Sequence, residues 1–471
     1  MSEEAGSRQE RRRSMMLLEP MHKVIPKMAV PTVISMLVSA FYNLVDTYFV
    51  SYLGTAATGA VGVNSSLENF IMMAGSFLAI GANSYIARLL GAKQEKKASQ
   101  VLSTSFFSAL ITGTLVMICG FLWMRPLVNL LGAHGEVEQY AVDYAGYVLY
   151  AAPLMAASFV MNQCLRSEGS ASFSMIGMVA GSLLNIGLDP LFIFVFGWGI
   201  KGASAATAIS KAVSFVILLW PYLHRHSMLH LSPKNICFSK DICTEVFKMG
   251  SPSLLRNGLS TIAGILLNNI AGAYSAAALA AISVTNRIIM FLTFAVLGFG
   301  QGFQPVAGFN WGAKRYDRVR QAYRFSAIVG VAAITVISLL VALFSKQLIG
   351  LFTDTDAEMM RIGALSIALQ CAAMPIHAWV IVVNMLYAGT GKAFGAITLG
   401  ITRQGICFFP LVWLLPHLFG VNGIAAIQAV ADGLSLFVAL PFAVSIQREL
   451  KRLDRQQGEA PPESANTEKG T

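Results

Sequence analysis

Long apolar segments with almost no charge are the feature that most limits how this chain can fold. They recur along nearly the whole of its 471 residues, and many reach the length of about 20 residues that a helix needs to cross a hydrocarbon core about 30 Å thick. Charged residues make up only 12% of the chain, against about 25% in soluble domains. The pattern predicts an all-α polytopic membrane protein.

The apolar segments predict twelve spans of a cell membrane. The distribution of basic residues predicts that both termini lie in the cytoplasm. With that orientation, 26 of the 34 Lys and Arg residues fall in cytoplasmic segments and 4 fall outside. Lys and Arg accumulate in cytoplasmic loops. The net charge of +10 is therefore explained by orientation in a lipid bilayer, and we expect no nucleic-acid partner.

An internal repeat divides the spans into two sets of six. A shift of 221 residues places "GAK" at Gly91–Lys93 on "GAK" at Gly312–Lys314, and Pro31 on Pro252. We therefore expect two six-helix lobes in the same orientation, related by a pseudo-two-fold axis along the membrane normal. Parallel repeats of this kind are typical of transporters, with the site near the midplane. A duplication without a role in transport is the alternative.

These considerations predict five segments. They are a cytoplasmic N-terminal tail (1–23), a first lobe (24–223), a cytoplasmic loop between the lobes (224–244), a second lobe (245–446) and a disordered cytoplasmic tail (447–471).

Two carboxylates lie inside apolar spans of the first lobe. Asp46 is near the middle of the first span, and Asp189 lies in the fifth, in "NIGLDPLFIF". Acidic groups at such depth are costly and mark ion or proton pathways. The repeat places Leu267 opposite Asp46 and a position near Phe409 opposite Asp189. We therefore expect the buried acids to be confined to the first lobe.

Further oxygen ligands are expected around Asp189. Asn185 lies one helical turn earlier on the same face, and Pro190 interrupts the helix and frees a backbone carbonyl. In the sixth span, Ala203 and Thr207 are again four residues apart. Such oxygens suit a hard cation, and they equally suit a proton. The alternative is that each aspartate only satisfies a local polar contact.

The chain resembles the multidrug and toxic compound extrusion (MATE) family over about residues 20–450. The resemblance rests on five stretches: "MAVPTVISMLVSAFYNLVDTYFVSYLG", the two "GAK" tripeptides, "LRSEG", "NIGLDPLFIF" and "GIKGASAATAIS". It implies a cation-coupled antiporter that exports bulky, often aromatic organic cations, of the bacterial group with first-lobe carboxylates.

The family's coupling site carries over by residue onto this sequence. It implies ion or proton binding by Asp46, Asn185, Asp189, Thr207 and the Ala203 carbonyl. Asn162 in the fourth span is a further candidate contact. The family's bending of the first helix maps onto Pro31, although Pro252 repeats that proline where no acid accompanies it.

Two other polar residues within spans are candidate substrate or ion contacts. Glu68 in the second span either adds negative charge to a cavity or supports helix packing. His377 in the tenth span either responds to pH or is satisfied by a neighbour. The arginines at 256, 287 and 403 must snorkel, pair or face water.

Three functions are compatible with these features. The first is a secondary exporter driven by H⁺ or Na⁺, and the second is a flippase for a lipid-linked precursor, which would need cationic residues in its cavity. The third, an intramembrane enzyme, lacks a nucleotide loop and a His-rich cluster. The six cysteines show no paired spacing, so we expect no metal site. We also expect no cofactor other than H⁺ or Na⁺ as the coupling ion, and a monomeric chain.

Overall fold

The computed structural model describes residues 2–224, 226–352 and 356–459, with side chains from 9 to 457. This part of the chain is helical and contains no strand. The first eight helices are α1 (Ser2–Leu18), α2 (Met21–Ser51), α3 (Thr55–Gly91), α4 (Glu95–Leu122), α5 (Met124–Leu130), α6 (Glu136–Ser167), α7 (Ala171–Pro190) and α8 (Gly199–Leu223). The others are α9 (Lys240–Tyr274), α10 (Ala276–Gly312), α11 (Tyr316–Leu343), α12 (Ser345–Gly350), α13 (Ala357–Thr390), α14 (Ala393–Ile401) and α15 (Phe408–Glu459).

The helices account for twelve membrane spans. Ten continuous helical segments of the described residues are long and apolar enough to cross a bilayer. One of these, from Ala393 to Gln457, contains two spans, because the backbone turns back at Gly420 with φ 55° and ψ −134°. Helix α9 supplies the remaining span over 35 residues. The predicted twelve-helix architecture with two lobes is confirmed, whereas the residue limits of the lobes stay predictions.

The lobes follow the repeat in the sequence. Helices α2–α8 form the first lobe and α9–α15 the second. The equivalent helices α6 and α13 are followed closely by Gly169 and Gly391, whose φ angles are 84° and 80°. Side chains with a Cβ rarely adopt this left-handed conformation, so glycine stops each helix at the same place.

The lobes touch through glycines at one end of the bundle. We call it the basic end, since it carries the basic segments 88–97, 224–248 and 314–324. A Cβ at Gly81 would overlap the Val246 backbone, and one at Gly302 would overlap Ala29. The contacts of Gly91 and Gly312 are likewise with main chain of the other lobe. The helices therefore approach as closely as backbone permits, which is how small residues promote packing in membranes.

A buried polar network joins the lobes beside these glycines. Arg166 is fully buried, and its Nη1 donates to Oε1 of Gln301 in the second lobe at 2.6 Å. Gln163 Nε2 donates to the same oxygen at 3.2 Å. On the rim, Arg88 Nη2 and Glu245 Oε2 form an ion pair at 2.8 Å. These contacts close the basic end.

The N-terminal segment, expected to be a simple polar tail, contains helix α1 packed across both lobes. Met16 is fully buried, and its carbonyl accepts hydrogen bonds from Asn310 Nδ2 at 3.1 Å and from Arg318 Nη2 at 3.4 Å. Arg12 pairs with buried Glu168 of the first lobe at 3.5 Å. The C-terminal carbonyl of a helix carries partial negative charge and is stabilised by a cation. Helix α1 therefore belongs to the closed basic end.

The C-terminal segment also differs from expectation. A disordered tail is predicted from residue 447, but α15 continues as helix to Glu459. The sequence there is rich in Arg, Lys, Leu, Gln and Glu, which favour helix, and Asp454 lies 3.7 Å from Arg320. Prediction of disorder is thus wrong for 447–459, and residues 460–471 lie outside the described residues.

Candidate functional site in the first lobe

Two carboxyl groups meet inside the first lobe. Asp46 of α2 is 7% exposed, and Asp189 in the last turn of α7 is fully buried. Their side chains lie within hydrogen-bonding reach of each other. Two carboxyl groups can hydrogen bond only if one of them carries a proton. Asp46 Oδ1 and Asp189 Oδ2 have no hydrogen-bond partner in the described structure, so both oxygens retain an unused capacity to accept.

Asn185 and Thr207 surround the carboxyl pair, as the sequence predicts. Asn185 Nδ2 lies 3.2 Å from Asp189 Oδ1 and 3.3 Å from Thr207 Oγ1. The Tyr144 side chain also lies next to Thr207, and the sequence analysis did not place it there. Asn185 Oδ1 remains without a partner. The structure therefore brings an amide, a hydroxyl and two carboxyl groups together.

Pro190 widens the helix directly after Asp189. The chain continues from α7 into a single π-helical segment, Leu191–Val195. A proline removes one backbone donor and displaces the carbonyl four residues earlier, and a π-helical turn accommodates that loss. Such turns are frequent at functional sites. The predicted irregularity at Pro190 thus adjoins the carboxyl pair.

The remaining predicted residues lie at different distances from the pair. Ala203 is fully buried in α8, one turn before Thr207. Asn162 Nδ2 donates to the Ser174 carbonyl at 3.2 Å, and its Oδ1 is unpartnered. Helix α2 is continuous through Pro31, so bending at Pro31 stays a prediction.

A half-buried lysine lies beside this site and was not singled out from the sequence. Lys211 Nζ of α8 lies 3.1 Å from the Tyr42 hydroxyl and 4.8 Å from the centre of the Tyr42 ring. Glu68 and Asp46 are the carboxylates whose charges act on it. The sequence did hold a signal, because Lys211 follows Thr207 by one helical turn on the same face. Glu68 therefore lies within electrostatic range of Lys211 without forming an ion pair with it.

A cavity opens between α2, α3, α6, α7 and α8 next to the pair. Its empty space, mouth included, is about 600 Å³. Apolar and thioether side chains form part of the wall, including Met72, Met155, Phe159, Met178 and Leu218. Flexible thioethers adapt to ligands of varied shape. Polar wall residues are Ser39, Tyr42, Ser158, Asn162, Ser182, Asn185, Thr207, Ser210, Lys211 and Ser214.

The second lobe contains a buried acid, contrary to expectation. Asp432 in α15 is 1% exposed, and its Oδ1 lies 2.5 Å from Arg403 Nε. His377 Nδ1 lies 3.4 Å from the same oxygen. Arg403 belongs to a π-helical segment, Thr402–Cys407, that joins α14 to α15. The expectation that buried acids are confined to the first lobe is therefore wrong, and His377 lies in a separate cluster.

The Arg403–Asp432 pair predicts a large effect on stability. We expect Asp432→Leu to lower the free energy of unfolding by about 3–5 kcal/mol, because it leaves a buried guanidinium without its partner. The double variant Arg403→Met/Asp432→Leu removes both charges and should recover most of the loss. Thermal unfolding of the purified proteins in detergent measures both. A single variant as stable as the wild type would contradict a structural role for the pair.

Comparisons with known proteins agree with this architecture. The profile of the MatE family matches residues 31–191 and 252–402, one match in each lobe. The multidrug export protein MepA of Staphylococcus saprophyticus is 27% identical over 430 residues, covering 91% of this chain and 94% of that protein. MepA of Staphylococcus aureus is 26% identical, covering 89% and 93%.

Solved structures are similar along nearly the whole chain. An outward-facing multidrug resistance MATE transporter superposes with a TM-score of 0.87 at 26% identity, covering 93% of this chain and 98% of that one. MATE structures in the bent and the straight conformation both give 0.87 at 25% identity, covering 95% and 94% of this chain and 99% of each. The fold is therefore common to both conformations.

Proposed function

Because this chain belongs to the MatE family, whose members are transporters rather than enzymes, we propose that it exports drugs and organic cations in exchange for H⁺ or Na⁺. The multidrug export activity named for the MepA relatives supports the substrate class. Transport uses alternating access, in which the two lobes rock and the contact at the basic end opens and closes. That end and both termini lie in the cytoplasm, and the protein acts as a monomer in the cell membrane.

The contact between Asp46 and Asp189 is the observation that carries the coupling proposal. Two buried carboxyl groups cannot both ionise at low cost. Binding one proton or one cation removes most of that cost, so the site favours one of the two bound states. Binding an organic cation nearby and binding the coupling ion then compete for the same negative charge. Exchange follows because release of one favours uptake of the other.

The pairing of Arg403 with Asp432 counts against a flippase. A lipid-linked pyrophosphate needs unpaired cations, and this guanidinium already has a carboxylate partner at 2.5 Å. Arg287 is exposed and Arg256 half-buried in the described structure. Neither lies in the first-lobe cavity, where Lys211 is the one charged lining residue, a single ammonium for the two phosphates of a pyrophosphate.

The coupling proposal is tested in proteoliposomes that contain the purified protein. Ethidium movement is followed by fluorescence while a proton gradient is imposed without Na⁺, and then a Na⁺ gradient at equal pH. We expect at least one gradient to drive dye against its concentration, and Asp46→Asn to abolish that drive. Asp143→Asn is the matched control, since this acid pairs with Lys201 away from the site. An ethidium transport rate that is independent of both gradients would overturn the proposal of ion coupling.

A further inference from the structure

The wall of the first-lobe cavity carries a positive charge. Lys211 is the charged side chain among its lining residues, whereas Asp46, Asp189 and Glu68 do not line it. A molecule that enters the cavity therefore meets an ammonium group on the wall, and the carboxyl pair lies behind Asn185 and Thr207. A site for organic cations alone has no need of such an ammonium group, so Lys211 adds a further requirement on the ligand.

The hydrogen-bonding capacity of Lys211 is largely unused. An ammonium group donates three hydrogen bonds, and within the described residues the Tyr42 hydroxyl accepts one of them at 3.1 Å. No carboxylate of the described residues forms a direct ion pair with Lys211, although Glu68 and Asp46 act on it electrostatically. The group is half-buried, so donors facing the cavity gain most from an acceptor supplied by a ligand.

Two hydroxyl groups of the cavity wall also lack partners. The Oγ atoms of Ser158 and Ser210 are buried and make no hydrogen bond in the described structure, and both residues line the cavity. Each hydroxyl can donate to an anionic oxygen. A carboxylate near Lys211 would thus find an ammonium and hydroxyl donors, while an aromatic body would pack on Met155, Phe159 and Met178.

We propose that Lys211 makes the first-lobe cavity selective for aromatic molecules that bear a carboxylate, and especially for zwitterions. This inference rests on the proposed export function and names its substrate class. In a zwitterion, the carboxylate binds Lys211 and the cationic group faces the carboxyl pair. Lys211 is then a specificity-determining residue, separate from the ion-coupling carboxyl groups.

Two dyes that differ by one methyl ester test the proposal. Rhodamine 110 carries a free carboxylate, and rhodamine 123 is its methyl ester. Their affinities for the purified full-length protein are measured by fluorescence anisotropy without any ion gradient. We expect the wild type to prefer rhodamine 110, and Lys211→Met to raise the Kd of rhodamine 110 at least about tenfold, as for the loss of a charge-assisted hydrogen bond. The Kd of rhodamine 123, which has no carboxylate to lose a partner, should not rise.

Two further variants keep the result interpretable. Lys211→Arg retains the charge and should keep the preference for rhodamine 110, whereas Lys201→Met removes an exposed lysine of the same helix and should change neither Kd. Equal losses for both dyes in Lys211→Met would overturn the proposal, as would no change for either. Since binding needs no gradient, a failure of ion coupling in proteoliposomes leaves this preference measurable, and the two failures are distinguishable.

Discussion

We expect Asp189→Asn to abolish coupled export. Ethidium efflux from a drug-sensitive host should then fall to the rate of cells without the protein. The substitution keeps the size of the side chain and removes the group that takes up and releases a proton. Asp189 is fully buried beside Asp46 and Asn185, and Asp46 alone cannot supply a site of two carboxyl groups. Efflux is measured at matched expression in the membrane.

A matched control tests whether the loss is specific to the carboxyl pair. Asp143→Asn removes an acid outside the pair and should export ethidium like the wild type. Because Asn can still accept and donate hydrogen bonds, Asp189→Asn should retain the melting temperature, which separates loss of coupling from unfolding. If Asp189→Asn exports ethidium as fast as the wild type, the coupling assignment to "NIGLDP" is wrong.

Gly302→Leu is expected to prevent closure of the basic end and to stop transport. Even a Cβ at this position would overlap the Ala29 backbone, and main chain cannot move aside as a flexible side chain can. Helices α2 and α10 must then separate, which leaves the cavity open to the basic end. Loss of ethidium export is the first measurement.

Thiol accessibility reports the cause of that loss. Ser84→Cys in a cysteine-free background places a thiol at a fully buried contact with Ala388 of the other lobe. We expect a membrane-impermeant maleimide applied from the basic end to label this thiol faster in Gly302→Leu than in the wild type. Gly264→Leu is the matched control, since Gly264 of α9 has open space around it. Equal labelling in all three proteins would contradict a gate built on Gly302.

The sequence predicts the fold well because span length, charge placement and the repeat all depend on local composition. Asp46, Asn185, Asp189 and Thr207 could be grouped for the same reason: their spacing places them on particular helix faces, and only the meeting of α2 with α7 and α8 had to come from packing. That meeting is long-range and has no periodic signal.

Lys211 and Asp432 show what a closer comparison of the repeats reveals. They are separated by 221 residues, so they are equivalent positions of opposite charge in α8 and α15. The partner of Asp432 could not be deduced from spacing, because Arg403 lies in a π-helical segment that shifts the side-chain register. Helix α1 was missed for another reason: its polar composition is typical of a solvated tail, and between residues 9 and 18 Met16 is the one buried side chain.

Helix α1 also affects how the protein can be handled. Since the Met16 carbonyl is held by α10 and α11 and Arg12 by the first lobe, a fluorescent protein or affinity tag fused ahead of α1 would lie at the basic end, where the two lobes meet. We expect the bulk of such a fusion to hinder opening and closing of the basic end, and so to change the measured transport rate. A fusion after residue 471 leaves the contacts of α1 unchanged. We therefore expect transport rates of a protein tagged there to match those of the untagged protein.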